Sequence, residues 1–164
     1  MRLSNKKRIN YYNFLLTLVN LILIGGIGAY ILEKTRLGMF GNMSILFIAL
    51  PVFLLVLYKL RGKEIFEYDS EGEAVHFKNR NVISFMGKES NDEFPKYKIL
   101  SFDVVDAIIF KRLYIKIKSK KEQVALLKYD ISYLSKKELK DLKFSLRNIV
   151  AANKAAESEG KMQS

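Results

Sequence analysis

The sequence predicts a transmembrane α-helical hairpin joined to a small α+β, mainly β domain, in which antiparallel strands are followed by one C-terminal amphipathic helix. Three observations predict it. Two apolar runs occupy residues 14–32 and 43–60, broken only by Lys59. Beyond Gly62 apolar and polar residues alternate with the two-residue period of a half-buried strand. From Leu139 onward apolar residues recur every three or four positions, the period of a helix face.

The membrane part comes first. At about 1.5 Å per residue, the uncharged run 14–32 covers close to the ~30 Å hydrocarbon core. The second run reaches that length when Met39 or Phe40 is included. Residues 33–42 are too few to fold alone, so the two runs form a hairpin. Orientation follows the Lys and Arg residues near span ends. Arg2, Lys6, Lys7 and Arg8 before the first span, with Lys59, Arg61 and Lys63 after the second, outnumber Lys34 and Arg36 between them. Both termini are therefore expected on the cytoplasmic side of a bacterial inner membrane. Tyr11, Tyr12, Tyr30 and Tyr58 fall where amphipathic rings favour the interface. The rival reading is a cleaved signal peptide ending at the small residues Gly25, Gly26, Gly28 and Ala29, although the apolar run is long for one and a second span follows at once.

Within the spans, Gly25 and Ala29 form a small-xxx-small pair beside Gly26, a candidate site of helix packing in the membrane. Pro51 is expected to kink the second span and free the carbonyl of Phe47. No ionisable residue precedes Lys59 inside either span, which argues against a proton relay or ion-coupled transport.

After Gly62, residues 63–69 and 73–79 read as a hairpin around Asp69-Ser70-Glu71-Gly72, with Phe66, Tyr68, Val75 and Phe77 facing inward. A third strand is expected over 82–86, then a polar loop over 87–95, then strand-like stretches over 97–103 and 104–110. The clearest strand is 111–118: Leu113, Ile115 and Ile117 share one face, and Arg112, Tyr114, Lys116 and Lys118 the other. Residues 124–129 return from it. Ser135-Lys136-Lys137-Glu138 matches a capping box, and Leu139, Leu142, Leu146 and Ile149 form the stripe of the helix it opens. Residues 151–164 read as a polar, disordered tail.

This order of strands ahead of one helix, with Tyr129-Asp130-Ile131-Ser132 leading into the capping box, resembles bacterial pleckstrin-homology-like (PH-like) domains that follow a two-helix membrane anchor. The resemblance covers roughly residues 63–150 and is one of pattern. It implies a three-part chain: a hairpin with its short cytoplasmic N-terminus over 1–62, a PH-like domain over 63–150, and the tail. The phosphoinositide-binding loops of eukaryotic relatives have no counterpart signature here, so that ligand is not carried over.

The formal charge of +11, from 28 Lys and Arg against 17 Asp and Glu, favours a polyanionic partner, and two spans make the membrane leaflet a simpler one than nucleic acid. With no cysteine, disulfides and thiol chemistry are excluded. The strongest candidate surface is Arg112, Tyr114, Lys116, Lys118 and Lys120, for anionic lipid head groups or an acidic partner. The competing explanation is that a solvated sheet face carries lysines for solubility and edge protection. The lone His76 reads as a surface residue, and Asp103 and Asp106 lack a third ligand. No catalytic spacing, cofactor motif or small-molecule site emerges. The expected function is a non-enzymatic scaffold or regulatory module that meets another membrane or cytoplasmic protein. The alternatives are an accessory subunit acting through its hairpin and, less favoured, an enzyme of lipid or envelope substrates.

Overall fold

A computed structural model describes residues 1–83, 87–119 and 123–162. The chain divides into two compact units, Arg8–Leu60 and a second made of Met1–Lys7 with Arg61–Ser164.

The first unit is a helical hairpin. Helix α1 (Ile9–Leu32) continues as one π-helical turn, Glu33–Leu37, and a 3₁₀ turn, Gly41–Ile45, leads into α2 (Leu46–Leu60). Lys6–Leu37 and Gly41–Leu60 are both long and apolar enough to cross a membrane. Only 6 % and 11 % of their most apolar windows are buried, the opposite of a core helix in a soluble domain. Gly26 is where the helices meet. A Cβ there would overlap the carbonyl oxygen of Phe47, and Pro51 Cγ would lie 3.5 Å away. Phe47 is the carbonyl that Pro51 leaves without its helical donor, so the kink and the close approach fall at one level. The turn is closed by polar side chains. Buried Glu33 accepts the Phe40 N–H through Oε1, and buried Ser44 donates to the Gly41 carbonyl at 2.7 Å.

The second unit contains two antiparallel sheets and a helix around one core. The four-stranded sheet has the order β1 (Arg2–Ser4), β2 (Ile65–Asp69), β3 (Ala74–Arg80), β4 (Ser90–Pro95). The three-stranded sheet has the order β5 (Ile99–Asp106), β6 (Lys111–Ser119), β7 (Gln123–Asp130). Helix α3 (Lys136–Met162) follows. The expected alternation holds: Phe66, Tyr68, Val75, Phe77, Leu113 and Ile115 are all buried, as are Leu139, Leu142, Leu146 and Ile149 of α3. Phe77 is the hub. Its ring stacks on Phe94 at 5.7 Å and on Tyr129 at 4.8 Å, joining the two sheets, and it also meets Phe66 and Tyr68. Burial first, and the neighbouring Asp92 carboxylate second, hold the Tyr129 phenol above its ordinary range. The capping box is present in both directions, Glu138 N–H to Ser135 Oγ at 3.2 Å and Ser135 N–H to Glu138 Oε2 at 2.6 Å.

Five expectations are corrected. Residues 1–7 do not belong with the membrane hairpin. Arg2, Leu3 and Ser4 pair with Asp69, Tyr68 and Glu67, and buried Asn5 donates to the Glu64 carbonyl at 2.7 Å and accepts the Phe66 N–H at 2.9 Å. The hairpin is thus inserted between two neighbouring strands of one sheet. Val82 and Ile83 are not in a strand, and the rest of the stretch expected there, 84–86, lies outside the described residues. Much of the supposed polar loop is instead the edge strand β4, whose Phe94 alone faces deep into the core. The stretch 97–110 holds one strand, not two: β5 ends at Asp106, and the Ala107 N–H closes a turn on the Phe110 carbonyl. Finally, α3 runs through 151–162 instead of fraying at Ala151; Asn153 donates to the carbonyls of Lys96 and Ile99, both at 2.8 Å, and pins that part of the helix to the sheet.

Candidate functional site

The basic strand is β6, and its outward face can be read from its register with both neighbours. Tyr114 lies across from Lys128 and Asp103, Lys116 from Leu126 and Ser101, and Lys118 from Val124. Lys116 and Lys118 are exposed and form no ion pair among the described residues. Val124 and Leu126 stand exposed beside them. The face therefore interleaves cations with aliphatic side chains instead of being uniformly charged.

Arg112 has a different job. Its Nε donates to Asp130 Oδ1 at 3.3 Å and its guanidinium covers the Phe110 ring at 4.2 Å. Asp130 Oδ2 accepts the Lys63 N–H, and its main-chain N–H donates to Asn79 Oδ1 at 2.8 Å. Gly62 packs against the same carboxyl group with φ +82, so close that any Cβ would collide with it. This knot holds the chain where it enters the unit after α2, and Arg112 is one of its structural ties. Lys120 lies outside the described residues. Of the five candidate residues, the structure joins Tyr114, Lys116 and Lys118 on one open face and assigns Arg112 to structure. Val124, Leu126 and Lys128 were missed, although the two-residue period of β7 was the signal: with Tyr129 inward, they must point out.

In the hairpin, Gly26 makes the helix contact, while Gly25 and Ala29 are exposed and a Cβ at Gly25 would meet nothing within 4 Å. Exposed His76 lies 3.3 Å from Glu93 Oε1. Asp103 accepts the Val104 N–H, and Asp106 pairs with Lys111 at 2.9 Å. Among the described residues, no three His, Cys, Asp or Glu side chains are grouped to hold a metal ion.

No family model, curated protein or solved structure matches the chain.

Proposed function

We propose that this chain is an integral protein of a bacterial cytoplasmic membrane, with a PH-like domain at the cytoplasmic face that serves as a non-enzymatic scaffold or regulatory module. Among the described residues, six antiparallel strands in two sheets follow the hairpin ahead of α3, with β1 from before the hairpin added at one edge, an order that supports the PH-like reading. The excess of Lys and Arg at the outer ends of the two spans supports the cytoplasmic placement. One observation carries the interaction role: the open face of β6 and β7, where Lys116 and Lys118, without an ion pair among the described residues, border exposed Val124 and Leu126. Cations mixed with aliphatics fit a partner that supplies both carboxylates and apolar contact.

The test is purification of the C-terminally tagged chain from its native membrane in mild detergent, with stoichiometric partners identified. The expected result is a partner lost on Lys116→Glu with Lys118→Glu. Recovery of the protein alone counts against the proposal. A partner that ignores these reversals but is lost on Gly25→Leu with Ala29→Leu assigns the role to the hairpin as an accessory subunit.

A further inference from the structure

A second basic surface lies on α3. Lys136, Lys140, Lys143 and Arg147 fall at helical spacing on one side of its first half and line, with Lys111, a groove of about 430 Å³. None of the four forms an ion pair among the described residues. Of the acidic groups nearby, Asp106 pairs with Lys111 and Glu138 accepts the Ser135 N–H. Phe144 stands among these cations with 65 % of its surface exposed. From the same place the β5–β6 turn projects Ile108, which is fully exposed, and Ile109 beside it. An isoleucine at the tip of a tight turn, with nothing packed on it, gains nothing from the fold around it.

The end of the unit that carries this turn is also the end where the chain arrives from α2. Ser132 Oγ donates to the Arg61 carbonyl at 2.6 Å and accepts the Lys111 N–H at 2.9 Å. Arg61 also covers the Tyr133 ring at 5.3 Å. Arg61 directly follows Leu60, the last residue of α2, so the start of β6 is tied, through Ser132, to the residue that comes next in sequence after the second span.

We propose that this surface lies on the anionic leaflet of the membrane that holds the chain's own spans, with Ile108 and Ile109 inserted among the lipid tails and Lys136, Lys140, Lys143 and Arg147 on the phosphate head groups. The inference rests on the reading of the chain as an integral membrane protein. Basic residues near an anionic surface and aliphatic residues at its boundary add together, which is the usual division of labour in interfacial segments. The surface differs from the β6–β7 face in holding its apolar residues on a projecting turn, a shape suited to penetration and not to a flat protein contact.

The chain has no cysteine, so Ile108→Cys offers a unique attachment point for an environment-sensitive fluorophore. The full chain is reconstituted in nanodiscs of phosphatidylcholine, with or without phosphatidylglycerol, some carrying a nitroxide on the acyl chain. With the anionic lipid, the label is expected to shift to the blue and be quenched by the nitroxide. Lys140→Glu with Lys143→Glu, or salt near ~1 M where the screening length falls to about 3 Å, is expected to return it to the signal seen in phosphatidylcholine alone. The same label on Phe144→Cys is expected to follow the same pattern. Labels that stay accessible to aqueous iodide in both lipids overturn the proposal, as does quenching that ignores anionic lipid and the lysine reversals. A blue shift and protection from iodide that need a cytosolic extract, without quenching by the nitroxide, overturn the proposal and assign the surface to an acidic protein instead. Flotation of the chain with lipid after an alkaline wash is scored in the same samples: a chain that floats while residue 108 stays in water loses only the docking, whereas one that washes off loses the membrane reading itself.

Discussion

The two units of this protein sort their side chains in opposite ways. In the β unit a cluster of large side chains lies inside: Tyr68, Tyr129, Phe66 and Phe77 are almost wholly buried. In the hairpin Phe14, Ile24, Leu50 and Phe53 are exposed, while a glycine forms the helix contact and Ser44 and Glu33 are among its most buried residues. The first pattern withdraws apolar surface from water. The second leaves apolar surface outward and brings the helices together by close backbone approach. Asn20 donates to the Leu16 carbonyl of its own helix at 2.8 Å. The difference teaches that one chain sorts apolar side chains inward in one unit and outward in the other, as the proposed membrane reading requires.

The sharpest way to break the β unit is Phe77→Ala. Removing the ring that joins both sheets is expected to cost ~3–5 kcal/mol, a large part of a small domain's stability. Hydrogen exchange should show lost protection across 61–162 and leave the α1–α2 hairpin unchanged. The hairpin's counterpart is Gly26→Leu, which drives a side chain into the Phe47 carbonyl. Overpacking of this kind costs about 1–3 kcal/mol. Spin-label distances between α1 and α2 should lengthen while the sheets stay protected, and Gly25→Leu should change neither. Asn5→Ala tests whether the first strand belongs to the β unit: it strips partners from the Phe66 N–H and Glu64 carbonyl, a loss on the order of 1–3 kcal/mol. Proteolysis near Met1 should then accelerate with little effect on β5–β7. Ser135→Ala removes one side of the capping box and should cost ~1 kcal/mol, read as earlier exchange in the first turn of α3.

The smallest effect near neutral pH concerns Tyr129. A phenol whose pKa is raised by folding keeps its proton where the unfolded chain loses it, near pH 10. Unfolding then releases a proton, so stability should fall as pH climbs past about 10 and carry no slope from this group below it. Denaturant titrations of wild type and Tyr129→Phe across that range check this; equal slopes would sink the idea.

Legibility in the sequence followed locality. The spans, β6, β7 and the start of α3 each carry their signal within a dozen or so residues: a continuous apolar run, a period of two, a capping box with a stripe. β4 escaped because Ser90-Asn91-Asp92-Glu93 is polar throughout and only Phe94 reaches deep into the core. β1 escaped because three residues with one inward Leu3 mean nothing until Asp69, Tyr68 and Glu67 lie beside them. The tail after Ala151 was misjudged from its composition: Ala, Glu and Lys are also strong helix formers, and Asn153 ties that segment down through carbonyls far earlier in the chain. On the candidate surface, alternation revealed which β6 side chains point outward. It did not reveal that Arg112 is tied to Asp130, a pairing that exists only once β6 and β7 are in register.

The insertion of the hairpin between β1 and β2 imposes an order on biogenesis. Synthesis runs from the N-terminus, so Arg2–Ser4 emerges first and waits without a neighbour until residues 65–69 follow. Closing that gap, Arg2 to Asp69, spans 67 positions. On the proposed membrane reading, two crossings return the chain to the side it left, so the two strands share a compartment. Should either helix fail to insert, β1 and β2 end on opposite sides and the first sheet lacks its edge strand. On that reading the four-stranded sheet gains β1 only in a chain whose two helices have both crossed.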